Sequence, residues 1–136
     1  MTALLQNTYV STAAYFAIAG MAMILFLSIF ELVTKYGVWE ELKKGNLSVA
    51  MATGGKIFGI SNLFRFSMEQ QETLGQTLLH AGYGFILLLL AYLVFEFMTP
   101  VINVDEEIQR DNKAIGLISM MISIGFSYII GASLIL

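Results

Sequence analysis

Three ionisable residues stand where the chain is otherwise apolar: Glu31, Lys56 and Glu96. Glu31 and Glu96 each fall about one turn inside the end of an apolar segment. Paired carboxylates there could bind a cation or relay protons, and an ionisable residue inside a span suggests function by default. Their shallow depth favours a structural role, solvated at the interface or hydrogen-bonded across a helix pair. Lys56 is ten residues past Asn46. At about 1.5 Å per residue that places it about 15 Å deep, near the bilayer centre. A lysine there costs roughly 2.5–3.5 kcal/mol. A long lysine side chain can reach back toward the interface, so Glu31 or Glu96 is the expected counter-ion; a charge lining an anion or proton path is the alternative. His80 is the single histidine. Without a cysteine or a neighbouring carboxylate it makes a poor metal site, and an interfacial hydrogen bond is the expected role.

The elements that carry these residues follow from composition. Of 136 residues 57% are hydrophobic and 12% charged. A soluble domain carries roughly 25% charged residues, so this chain lacks the charge to cover a water-facing surface. Residues 1–30 and 114–136 carry none, and from Thr73 to Phe95 His80 is the only basic or acidic residue. About 20 mainly apolar residues cross a bilayer, so three segments qualify directly. A fourth, Leu47 to Phe64, is interrupted by Lys56 but bounded by polar residues. The reading is an all-α, four-span transmembrane helical bundle with spans at about 12–34, 46–66, 74–99 and 113–136. The first ten residues hold no Lys or Arg. The positive region of a signal peptide is missing, and the first span is read as retained.

Orientation follows from Lys35, Lys43, Lys44, Arg110 and Lys113, which sit in or beside two long loops, against Arg65 on the opposite face. The positive-inside rule puts both loops in the cytoplasm and both termini outside; Glu69 and Glu72 do not oppose it, because acidic residues count little. There is no cysteine, which excludes disulfides and thiol chemistry. No basic patch points to nucleic acid. No nucleophile–base pair, phosphate-cradling loop or metal-ligand cluster is present, so neither an enzyme nor a cofactor is expected.

The chain is written twice. At an offset of 65, Phe30-Glu31 meets Phe95-Glu96 and Thr34 meets Thr99. At 66, Glu40-Glu41-Leu42 meets Glu106-Glu107-Ile108, Asn46 meets Asn112, and Gly59 and Ser61 meet Gly125 and Ser127. Similarity of this extent points to duplication. Each unit, about 13–66 and 78–132 within the single domain 1–136, is a helical hairpin. Two spans per copy keep the orientation, so the repeats are parallel, about an axis along the membrane normal.

Asn46 and Asn112 stand where the second and fourth spans begin and suit helix caps. The Glu-Glu-Leu-Lys-Lys run is compatible with a cytoplasmic extension of the first helix, acidic before basic. Gly55 and Gly59 form a G-x-x-x-G, and Ser119, Ser123, Ser127 and Gly131 recur every four residues. Such stripes let helices approach closely, first between the repeats and then in self-association. Trp39 and Tyr36 fit an interfacial aromatic belt.

Phe30-Glu31 with Thr34, Gly45-Asn46, and the Asn46–Gly59 and Asn112–Gly125 spacings carry a resemblance over residues 13–136. The chain resembles the YjfL/YshE-type family of small bacterial inner-membrane proteins, a duplicated two-span domain of unknown function. The resemblance implies a four-span inner-membrane protein without enzymatic activity. Some members of that family are associated with membrane-stress proteins of the phage-shock type and with flotillin-like scaffolds. Lys56 departs from the small, apolar second span of the family; its repeat counterpart is Ile122. The expected function is therefore a structural or adaptor component of the membrane, a homo-oligomer in the lipid bilayer. The alternative is an oligomeric ion or proton channel or transporter subunit using Glu31, Glu96 and Lys56.

Overall fold

Asn7 starts the first long helix, its side-chain oxygen accepting from Tyr9 N. The computed structural model describes residues 2–70 and 73–134; Glu72 and the last two residues of the expected fourth span lie outside them. A short turn of helix, α1 (Thr2–Leu5), precedes α2 (Thr8–Val33), followed by α3 (Val38–Lys43), α4 (Leu47–Gln70), α5 (Leu74–Met98), α6 (Val104–Gln109) and α7 (Lys113–Leu134). The expected spans coincide with α2, α4, α5 and α7 to within four residues. Among the described residues three helices are long and apolar enough to cross a membrane: α2, α5 and α7. Lys56, Asn62, Arg65 and Glu69 dilute the apolar character of α4.

That composition matches the position of α4, which packs chiefly against α7, then α5, and lightly against α2. Its Ser48, Lys56, Asn62 and Ser67 are all buried. In lipid a polar group has no water to turn to, so polar side chains belong between helices. Asn62 Nδ2 donates to Ser127 Oγ at 3.1 Å, and Ser127 Oγ donates to Ile124 O. The α4–α7 seam is close. A Cβ at Gly55 would lie 2.7 Å from Met120 Cα, one at Gly59 3.2 Å from Ser123 O, and one at Gly116 2.7 Å from Ser48 Cα. Gly131 is covered by the Phe66 ring. Ser119, Ser123 and Ser127 are buried along the same line.

Only Phe30 of α2 is buried. Phe26 stacks on Phe85 at 4.3 Å, and Phe30 meets Phe85 and Tyr92 edge-on. Beyond these rings α2 and α4 part, leaving a mainly apolar groove of about 830 Å³ lined by Tyr15, Phe16, Met23, Phe64 and Met68.

The first long helix does not continue into the Glu-Glu-Leu-Lys-Lys run. Thr34 Oγ1 donates back to Phe30 O, and Thr34 turns extended at φ −90°, ψ 136°, closing α2. Gly37 then opens α3 as a separate helix. The loop after α5 is built likewise: Thr99 Oγ1 donates to Phe95 O, and Asn103 caps α6. Both short helices end in a left-handed residue, Gly45 at φ 80° and Asp111 at φ 62°. Glycine, and less often aspartate, tolerates that conformation.

A candidate site in the buried loop end

At the loop end a second core gathers Tyr36, Val38, Val49, Ala52, Val104 and Ile108. Val38 and Val104 give α3 and α6 their inward faces, and the two loops are then hydrogen-bonded to each other. Asn46 Nδ2 donates to Ile108 O and Gln109 O at 3.1 and 2.8 Å. Asp111 Oδ1 accepts from Ser48 N at 2.9 Å. Asp105 Oδ2 accepts from Lys35 N at 3.0 Å. Each loop thus terminates or steadies the other.

The two asparagines close their own loops in matching ways. Asn46 N and Nδ2 donate to Glu41 O and Oε2, while its Oδ1 accepts from Val49 N. Asn112 N and Nδ2 donate to Glu107 O and Oε2, while its Oδ1 accepts from Ile115 N. The amide beside Glu41 holds its carboxyl below the usual carboxylate range, with Lys44 adding to the effect. Asp111 is lowered too, first by the Ser48 N–H.

Above this platform lies the charge cluster. Lys56 is 3% exposed. Its Nζ is 5.2 Å from the Phe30 ring centroid and 4.8 Å from that of Tyr92. A desolvated cation over a ring gains up to about 2 kcal/mol. Two rings therefore offset much of the roughly 2.5–3.5 kcal/mol that a central lysine costs. Tyr92 passes the contact on, its hydroxyl donating to Asp105 Oδ1 at 2.5 Å. Asp105, 1% exposed, is satisfied on both oxygens. Burial, with Asp105 and then Glu96 adding negative charge, pushes the Tyr36 phenol well above its ordinary value. Among the described residues Tyr36 Oη and Glu96 Oε1 are buried without a hydrogen-bond partner.

Residues 3–134 match the family described as Domain of Unknown Function (DUF350). The chain belongs to the DUF350 family. The UPF0719 transmembrane protein YshE of Bacillus subtilis (strain 168) is 50% identical over 129 residues, 95% of this chain and 96% of that protein. The resemblance read from Phe30-Glu31, Gly45-Asn46 and their repeats is thereby borne out. No solved structure matches the chain. This DUF350 chain is a multi-pass transmembrane protein, and its apolar helices imply a lipid bilayer around them.

The structure brings together only part of the charge network expected in this DUF350 chain. Among the described residues Lys56 forms no ion pair within 4 Å with Glu31 or Glu96. Glu96 faces Lys35 at 3.9 Å instead. Glu31 is exposed. It lines, with Lys56, a cleft of about 320 Å³ between α2, α3 and α4. The aromatic rings hold the ammonium in place of a carboxylate, and Tyr92 joins it to Asp105 through its hydroxyl. His80 Nδ1 lies 2.8 Å from Gln76 O, one turn back. Asp105 and Tyr92 are functional candidates that the sequence reading passed over. Asp105 sits in an acidic run that reads as solvated, Asp105-Glu106-Glu107. Its signal was its place beside Val104, on the face that Ile108 shares.

Proposed function

We propose that the chain is a four-span protein of the bacterial inner (plasma) membrane, a single transmembrane domain made of two parallel hairpins at about 13–66 and 78–132. Both termini lie outside, and α3 and α6 face the cytoplasm. It acts without catalysis, as a structural or adaptor component that offers one rigid charged face to a partner. The observation that carries this reading is the locking of the two loops through Asn46, Asp105 and Asp111. Separate loops would present two mobile charged segments. Joined, they hold Glu40, Glu106 and Arg110 outward on one platform. The matching bonds of Asn46 and Asn112 support the duplication. The excess of Lys and Arg at the loop end supports the orientation. The link to membrane stress and flotillin-like scaffolds comes from the family resemblance, and the α2–α4 groove leaves room for self-association.

Photo-cross-linkers at Glu40 and Gln109 should trap a discrete adduct in intact cells. Reversing charge at Glu40, Glu106 and Arg110 should remove it while leaving the thermal midpoint unchanged. The second reading, an oligomeric ion or proton conductor, rests on Glu31 and Lys56 lining one cleft. Ion or proton flux in proteoliposomes that is lost in Lys56→Met would replace the adaptor with the conductor.

A further inference from the structure

The cleft between α2, α3 and α4 holds opposite charges that do not meet. Lys56 and Glu31 both line its roughly 320 Å³, yet they form no ion pair within 4 Å among the described residues. Lys56 is 97% removed from solvent, at 3% exposure. An ammonium carries three N–H donors. The Phe30 and Tyr92 rings serve its charge, but among the described residues no acceptor takes a hydrogen bond from it. Thr34, Thr53 and Ser28 add hydroxyls to the same walls, and Trp39 completes the lining.

We infer that this cleft binds the headgroup of an aminophospholipid, with the phosphate toward Lys56 and the primary ammonium toward Glu31. A purely anionic headgroup would satisfy Lys56 and be opposed by Glu31; a cation alone would meet the reverse. A zwitterion with its two charges a few bonds apart matches both walls. The placement suits a lipid. Glu31 and Phe30 lie in the last turn of α2, and Lys56 reaches back to the Phe30 ring, so the polar lining sits at the loop end of the bundle. Ile24 and Ile57 carry the lining away from the polar groups and are 68% and 40% exposed. Acyl chains leave along them into the surrounding bilayer.

Trp39 is the only tryptophan of the chain, so its fluorescence reports this cleft directly. The purified full chain in detergent is titrated with dihexanoyl phosphatidylethanolamine and, separately, with dihexanoyl phosphatidylglycerol. The ethanolamine lipid should give a saturable change and bind at least about tenfold more tightly, the weight of a hydrogen bond to a charged group. Glu31→Gln, at an exposed position, should keep the fold and reverse that order. Thr53→Phe, which fills the cleft, should abolish both responses, as should Lys56→Met. If Lys56→Met fails to fold, Glu31→Gln and Thr53→Phe decide alone. Equal or tighter binding of the glycerol lipid to the unaltered chain overturns the inference. So does an unchanged order in Glu31→Gln, or the lack of any saturable response.

Discussion

Alanine at Gly55 would add one methyl group where α4 and α7 run backbone against backbone. Its Cβ would lie 2.7 Å from Met120 Cα and 2.9 Å from Met120 O, where ordinary contact begins at 3.4 Å. Neither neighbour can rotate away, because both are main-chain atoms. The helices must part locally by about 0.7 Å, and a gap of that size forfeits roughly a quarter to a half of each dispersion contact it opens. Overpacking of this kind typically costs about 1–3 kcal/mol. Gly54 supplies the control, since a Cβ there meets nothing within 4 Å. Both replacements carry the same intrinsic helical gain, about 0.8–1.0 kcal/mol, so it cancels between them. Gly55→Ala should therefore be about 1–3 kcal/mol less stable than Gly54→Ala in equilibrium unfolding from bicelles. Equal stability, or a more stable Gly55→Ala, would mean that this seam does not hold α4 to α7.

Asp105→Ala should cost about 1–3 kcal/mol for the buried Tyr92 hydroxyl it strands, and less for the part-buried Lys35 N–H. Adding Tyr92→Phe should then cost little more; additivity within about 0.5 kcal/mol across the unfolding cycle would show that the two do not act together. Glu41 and Asp111 have folded values below their unfolded ones. Their stabilisation is present above the ordinary carboxylate range, about 3.9–4.3, and is lost as pH falls through the folded values. The thermal midpoint should drop on acidification, and the drop should flatten in Glu41→Gln with Asp111→Asn; an unchanged acid limb would contradict this. Single cysteines at the exposed positions Glu40 and Glu106 should label from the cytoplasmic side, and one at Glu69 from the other. Labelling of all three from one side would remove the four-span topology.

The apolar runs made α2, α5 and α7 legible, because nothing interrupts them over the length a bilayer demands. The extent of α4 was legible despite Lys56, since polar residues bound it. Recurrence was a weaker guide to packing. Gly59 meets the Ser123 carbonyl, but Gly125, its counterpart at 66, faces open space. Gly116, which lies against Ser48, belongs to neither stripe. The Lys56 environment was hidden for a physical reason: the local pattern of α6 signals that Asp105 is buried, but not that Tyr92 joins it to a lysine on α4. A comparison of the two halves marks its members among the positions that differ. The counterparts of Lys56, Tyr92 and Asp105 are Ile122, Leu27 and Trp39. These three of the positions that depart from the repeat lie together in space, linked by the Tyr92 ring and hydroxyl.

The mixed character of α4 bears on how the chain is made. Its inward residues, Lys56 and Asn62 among them, find their surroundings on α5 and α7 as well as α2. Synthesis proceeds from the N-terminus at roughly 5–20 residues per second, so α4 emerges seconds before α7 does. During that interval Asn62 has no Ser127 to bond, and the Gly55 and Gly59 backbone has no neighbour. A helix in that state is poorly suited to lipid alone. On the proposed four-span topology, α4 must be retained or shielded until α7 arrives, which makes this one segment the point at which assembly in the membrane depends on the cell.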